Sequence, residues 1–404
     1  MRALWVFHFP VYGGPHNTAV GVRDPLADLG WETLAALTDE SGNAEERLTE
    51  GGLETVTMPL HRLRASWHPR DNLRTAAALR EEVRALEQLI RARGCDVVVV
   101  TGLMNPHGAI AARRVGVPVV WQVLDTRTPP VPRSAAMALV RRWADSVMFN
   151  GRAVENLHVG GRPLSTPSFQ FTGGVDLNLF RPDPALRMET RRRFGVPEDA
   201  LFVGTVANLN PMKGIEYFIR AASRVFEENP DSWFLINGST YETHRAYTAA
   251  LHREADASAI PRERFIWTDG LPRDHYVALD VTLVTSRPRS EGTTTTAPES
   301  LACEVPVVAT DVGSVREVVR DGVTGLVVPA DSPEALARET LRLAADPALR
   351  RRLGEAGRRE VAEHHSMEAT ASVCDQAFRA AMERPSTIRA GIEPVRQTDG
   401  GPAR

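Results

Sequence analysis

The run Val97-Val98-Val99-Val100 is apolar at every position, so as an extended strand it has no face suited to water. Such a strand is stable only between two layers of helices, the setting of a parallel sheet, and an open antiparallel sheet with one wet face is excluded. The flanking chain repeats the theme. Short apolar runs at 3–9, 33–37, 55–58, 96–101, 118–123 and 146–149 alternate with helical patterns at 16–29, 72–93 and 106–114. The helix read at 72–93 ends in arginines and a glycine stop. A second series follows the irregular GGVDLNLFRPDP at 173–184. Its strands are expected at 201–207, 233–237, 264–267, 281–285, 306–310 and 326–328, and its helices at 214–228, 241–255, 296–303 and 332–345. Two β/α series of similar size predict an α/β protein of two doubly wound domains, residues 1–178 and 179–364, facing each other across a ligand cleft. The stretch 385–404 is polar and aperiodic and reads as a disordered tail.

Composition narrows the function. With 404 residues, 43% hydrophobic and 25% charged, the chain has material for two cores. A net charge of −3 supplies no global basic field, which argues against nucleic-acid partners and electrostatic membrane anchoring. Cys95, Cys303 and Cys374 are far apart in sequence and make no metal-ligand spacing, so a reducing, cytoplasmic setting is expected. The opening MRALWVFHFPVYGG lacks the apolar core of a signal peptide, and no 20-residue apolar run is present, so no transmembrane segment is expected.

Lysine and arginine together number 48, and one alone, Lys213, is lysine. Keeping a single compact ammonium in a chain that otherwise uses guanidinium suggests a site where a planar cation does not fit. The competing reading is a leftover surface lysine. Its context, GTVANLNPMKGIEYFIRAA from Gly204 to Ala222, places it between a strand end and a helix start, at the carboxyl edge of a parallel sheet where anions bind.

The segment SEGTTTTAPESLACEVPVVATDVGSVREVVRDGVTG, Ser290 to Gly325, carries Glu291 and Glu299 with four threonines between them. Glu291 is expected in a loop and Glu299 about one turn into the next helix. Amides at Thr294, Thr295 and Thr296 would then face a phosphate, and Glu299 would accept two vicinal hydroxyls such as those of a ribose.

This pattern of EG, a seven-residue gap, E, then PVVATDVGSVREVVRDGVTGLVVPAD, resembles the retaining glycosyltransferases of family 4, with the GT-B fold of two Rossmann-like domains. Gly13-Gly14 resembles the family's N-terminal glycine loop, GGVDLNLFRP its interdomain segment and NPMKG its lysine turn. The resemblance implies a hexosyltransferase that takes a UDP- or GDP-sugar as donor and a small polar molecule as hydroxyl acceptor, without metal or other cofactor. It assigns Glu299 to the donor ribose, Glu291 to the transferred sugar and Lys213 to the departing diphosphate. Gly13 and Gly14 would hold that diphosphate from the opposite domain, with Gly292, Thr294, Thr295 and Thr296 beside them. It further implies that the helix at 365–384 crosses back onto the first domain, and a homodimer is among the allowed states. A sugar-nucleotide epimerase of the same fold and a catalytically silent sugar-nucleotide-binding subunit are the alternatives.

Two positions depart from the family pattern. Asn208 stands where an arginine is usual, five residues before the lysine, so one cation of the diphosphate clamp is missing unless another arginine, such as Arg287 or Arg289, replaces it. Leu124, followed by Asp125, stands where a histidine near the transferred sugar is usual. Acceptor candidates are His16, His107 and Asp125. His107 also reads as a local helix cap, and His8, Tyr12 and His16 read equally as packing around the glycine loop. RLRASWHPR at 62–70 is expected to be a solvated charged face, with an acceptor or membrane-surface loop as its rival, and Arg191-Arg192-Arg193 is expected on the surface. Arginine-rich, lysine-poor usage is typical of high-GC actinobacteria, where small-molecule or antibiotic biosynthesis is the expected setting.

Overall fold

The computed structural model describes residues 1–61, 69–124, 126, 128–240, 242–288, 290 and 292–384. Seven parallel strands form the first sheet: β1 (Arg2–Val6), β2 (Glu32–Thr38), β3 (Glu54–Met58), β4 (Val97–Thr101), β5 (Val119–Val123), β6 (Ser146–Asn150) and β7 (Ser168–Phe171). Six form the second: β8 (Phe202–Val206), β9 (Trp233–Asn237), β10 (Phe265–Thr268), β11 (Val281–Val284), β12 (Val307–Thr310) and β13 (Gly325–Val328). The strand orders are β3-β2-β1-β4-β5-β6-β7 and β10-β9-β8-β11-β12-β13. Every residue of β4 is buried, and its register places Val98 between Leu4 and Val119. The four-valine run is thus the centre of a sheet covered on both faces. β7, which periodicity did not reveal, is a four-residue edge strand with only its last residue buried.

In each sheet the strand order reverses once, at β1/β4 and at β8/β11. Successive helices leave on opposite faces at such a point and open a crevice at the strands' carboxyl ends. The chain passes between the sheets twice, and the two crossings are stitched together. Val175 donates to the His365 carbonyl at 2.9 Å, and Met367 donates back to the Val175 carbonyl at 3.1 Å. Beyond the second crossing, the helix Met367–Glu383 covers one face of the first sheet. Phe378 packs edge-on against Trp31 and Trp5, the Trp31 indole donates to Asp375 at 2.8 Å, and Ser146 Oγ donates to the Ala377 carbonyl at 2.8 Å.

Local departures from the sequence reading have physical causes. The helix expected at 16–29 breaks at Val22 into Gly14–Gly21 and Arg23–Asp28. Arg191, expected on the surface, is 3% exposed, donates to the Ala200 carbonyl at 2.5 Å and pairs with Asp280 at 3.1 Å. A half-buried carboxylate and a backbone carbonyl draw in one arginine of the three. The tail at 385–404 and positions 62–68 lie outside the described residues. The three cysteines are buried and unpaired, and burial pushes the Cys303 and Cys374 thiols up to about 12.

Candidate functional site

A cleft of about 320 Å³ opens at the carboxyl ends of β8, β9 and β10. Its walls include Asn208 and Lys213 after β8, Asn237 and Gly238 at the end of β9, Gly270 after β10, and Thr295, Thr296 and Glu299 after β11. Residues up to 93 positions apart in sequence therefore share one cavity at the switch point of the second sheet.

Lys213 ends a short 3-10 turn, Pro211–Lys213, whose shape is held at both ends. The Asn210 side chain accepts from the Met212 amide at 3.0 Å, and Gly214 closes the turn in the left-handed region at φ 61°. Thr285 Oγ1, from the end of β11, donates to the Lys213 carbonyl at 2.9 Å. The long helix Ile215–Glu228 follows and anchors the turn with buried Ile215, Phe218, Ile219 and Ala222. The backbone carrying the ammonium is thus fixed before any ligand arrives, which spares the cost of ordering it on binding.

Across the cleft, the helix Thr296–Ala302 begins after Thr295. Thr296 Oγ1 donates to the Val206 carbonyl at 2.7 Å, tying this helix start to the end of β8. Glu299 lies in the first turn, half-buried, and one of its oxygens, Oε2, accepts from the Tyr276 hydroxyl at 3.0 Å. Burial pushes the Glu299 carboxyl up to about 7, with the Tyr276 hydrogen bond pulling the other way. The consequence has a sign. Between the ordinary value of 4.5 and 7 the folded chain keeps a proton that the unfolded chain has lost, so this group's contribution to stability falls as pH rises through that window. On the sequence reading that gives Glu299 to ligand hydroxyls, binding runs the opposite way, because the ionised carboxylate is the better acceptor. Nucleoside diphosphate affinity, followed by calorimetry, should weaken about tenfold from pH 8 to pH 6. Glu299→Gln should remove that dependence, leaving only the slope from the diphosphate's own ionisation.

The first-domain candidates are placed differently. Gly13 and Gly14 start the helix Gly14–Gly21 and face open space, with nothing within 4 Å of an added Cβ on either. They are not in the walls of the cleft. Their helix approaches it through Thr18, which, like Thr295, stands within 4 Å of a side-chain position at Gly173. His16 is 1% exposed, stacks between Phe7 and Tyr12 at 4.5 and 5.7 Å, and takes the Gly13 amide on Nδ1 at 3.2 Å. Burial lowers its pKa to about 4, so it is a neutral part of the helix cap. His107 has no exposed surface, and its Nε2 stands 3.0 Å from a carboxylate oxygen of the equally buried Glu82. Burial pushes Glu82 up, but its hydrogen bonds to His107 and His61 outweigh that and hold it below the ordinary range. His107 therefore packs in the interior beside Glu82 and offers an acceptor no contact surface. Asp125 and Glu291 lie outside the described residues.

Arg287, one of the two arginines named for the missing cation, is not among the residues lining the cleft. Arg287 stacks over the Tyr217 ring and stands 3.6 Å from both Glu216 and Asp331, while Arg289 lies outside the described residues. Asn208 is exposed at the rim. Thr294 is 4% exposed, and a Cβ on Gly292 would stand 2.9 Å from the Leu124 carbonyl oxygen of the first domain. Beside it, Thr293 Oγ1 donates to Asn150 Oδ1 at 2.6 Å and the Arg152 amide donates to Glu317 at 2.7 Å, so the loop preceding Thr294 is docked onto the end of β6. Motif reading missed this docking and the β9–β10 wall. The only trace of the latter in the sequence is an asparagine and a glycine ending the apolar run WFLI. Among the described residues, no group of three or more His, Cys, Asp or Glu is arranged to hold a metal ion, and no helix is long and apolar enough to cross a membrane.

Comparison with known proteins bears on the same two halves. Residues 13–159 match the family described as Glycosyl transferase 4-like domain, and residues 187–360 match Glycosyl transferases group 1. A D-inositol 3-phosphate glycosyltransferase of Kribbella flavida is 34% identical over 222 residues, 52% of this chain and 50% of that protein. A GDP-mannose-dependent alpha-(1-6)-phosphatidylinositol monomannoside mannosyltransferase of Mycolicibacterium smegmatis is 31% identical over 258 residues, 62% and 64% respectively. The chain spans about half the length of the curated relatives it matches. The fold is shared with Anabaena Alr3699/HepE in complex with UDP, at a TM-score of 0.80 and 19% identity over 94% of this chain and 100% of that one. It is also shared with a sucrose-phosphate synthase from Thermosynechococcus elongatus, at 0.73 and 20% over 94% and 98%. With its two halves matched in order to two glycosyltransferase domain families and folded as two facing parallel sheets, the chain belongs to the family 4 glycosyltransferases of the GT-B fold.

Proposed function

We propose that this protein transfers a hexosyl unit from a UDP- or GDP-sugar to a hydroxyl of a small polar acceptor, with retention of anomeric configuration. The observation that carries the reading is the convergence of Lys213, Thr295, Thr296 and Glu299 on one cleft at the second sheet's switch point. A cation on a rigid turn suits a diphosphate, and a carboxylate with one oxygen tied to Tyr276 and the other uncommitted suits a ribose hydroxyl. In the reaction the bond from sugar C1 to the phosphate oxygen breaks and a bond from C1 to the acceptor oxygen forms. The acceptor proton passes to the departing phosphate. Negative charge grows on the diphosphate as the bond lengthens, and Lys213 offsets it where it develops. The donor enters from the second domain, and the acceptor approaches from the first. Relatives named for inositol phosphate and phosphatidylinositol mannoside make a polyol hydroxyl the first acceptor class to try.

The test is release of free nucleoside diphosphate from UDP- and GDP-hexoses with and without inositols and simple glycosides, with the product anomer assigned by NMR. Acceptor-dependent release with a retained anomer supports the reading. Conversion of the donor to an epimer without acceptor, or binding without turnover, overturns it.

A further inference from the structure

We propose that Asn237 reads the base of the nucleotide, selecting a base whose ring edge presents an N–H donor. The proposal rests on the reading of the cleft as a nucleotide-sugar site. Asn237 is the last residue of β9, 3% exposed, and is one of the residues lining the cleft. Its backbone is held on both sides: its carbonyl accepts from the Ala207 amide at 2.9 Å, and the next residue, Gly238, donates to the Thr268 carbonyl at 2.8 Å. The side-chain amide is oriented by one contact, Nδ2 donating to the Gly270 carbonyl at 3.2 Å. A carbonyl can face only the NH₂ end of an amide, so the other end must be oxygen. That oxygen, Oδ1, is buried and has no hydrogen-bond partner among the described residues. A strand of otherwise apolar residues, Trp233-Phe234-Leu235-Ile236, thus ends in a fixed, buried and unsatisfied acceptor at the edge of a ligand cavity. Buried acceptors are rarely left so unless something else satisfies them.

The layout says which part of the ligand reaches it. Lys213 follows β8, and Glu299 stands on the helix that follows β11, so diphosphate and ribose occupy the β8–β11 side. Asn237 and Gly270 stand beyond, on the β9–β10 side, one to two strand spacings away, roughly 5–10 Å. A base extending from a ribose held by Glu299 spans that gap. Uracil N3 and guanine N1 each carry a hydrogen for Oδ1. Cytosine N3 and adenine N1 carry a lone pair, which an oxygen at that place repels.

Calorimetric titration of the full chain with UDP, GDP, CDP, ADP and N3-methyl-UDP tests this, alongside Asn237→Ala. Wild type is expected to bind UDP or GDP about tenfold to hundredfold more tightly than CDP, ADP and the methylated probe. In Asn237→Ala that preference should shrink to within about threefold, with the smaller side chain making room for the methyl group. The methylated probe needs no variant, so the test survives a variant that fails to fold. If the diphosphates bind but methylation costs nothing, or if Asn237→Ala keeps the wild-type preference, the base-reading role falls while the nucleotide site stands. If none of the four diphosphates binds wild type, the nucleotide-site reading fails and takes this inference with it.

Discussion

Lys213→Ala is expected to lower kcat by about two to three orders of magnitude, the loss typical of removing one fixed group that stabilises developing charge. The expectation follows from where the lysine is held. Its carbonyl is tied to Thr285 Oγ1, its turn is capped by Asn210, and the cleft it borders also contains Thr295, Thr296 and Glu299. With Asn208 at the usual arginine position and Arg287 engaged with Glu216, Asp331 and the Tyr217 ring, the described cleft walls contain no other lysine or arginine. Lys213→Arg should recover only part of the loss, because a planar fork reaches a different point from an ammonium on the same backbone. Steady-state kinetics with a saturating acceptor decide the matter: a kcat within threefold of wild type for the alanine variant would remove Lys213 from the mechanism.

Gly214→Ala should destabilise the second domain by about 3 kcal/mol and reduce turnover with it. Two separate effects add. At φ 61° a side chain meets the left-handed penalty, about 1–2 kcal/mol. The new Cβ would also stand 2.2 Å from the Thr285 carbonyl oxygen and 2.9 Å from the Tyr217 ring, overpacking of a kind that costs about 1–3 kcal/mol. Neither neighbour is the free end of a flexible chain, since Thr285 follows β11 directly and Tyr217 belongs to the helix Ile215–Glu228. Relief must come from moving the turn, and the turn carries Lys213. Urea unfolding and kcat should therefore change together. Unaltered stability would mean that the turn relaxes freely, and the account of a pre-set lysine would go with it.

How much of this was legible beforehand varies by residue. Lys213 and Glu299 could be found because their neighbours in sequence, a strand end and a helix start, are local features of periodicity and capping. His107 could not be judged the same way. Its partner Glu82 is 25 residues earlier, on the helix Pro69–Arg93, and a histidine at a helix start looks alike whether it meets a carboxylate or solvent. Arg191 failed for a similar reason, since one of three consecutive arginines turned inward to Asp280, 89 residues away. Asn237 gave almost no signal, because an asparagine ending a strand is ordinary until the cavity beside it and the missing partner of its oxygen are known.

The two series of buried parallel strands, and with them the fold, follow from residue order, because a run such as Val97 to Val100 has only one kind of environment that excludes water from both its faces. Residue order also sets the chemical vocabulary: one lysine, a threonine run and a helix-borne glutamate at characteristic spacings. Which of these groups share a cavity, which histidines are spent on packing, and which buried polar atoms lack a partner emerge once the chain is folded. The cleft is lined by loops leaving four different strands, whose relative placement depends on strand order and register rather than on distance along the chain.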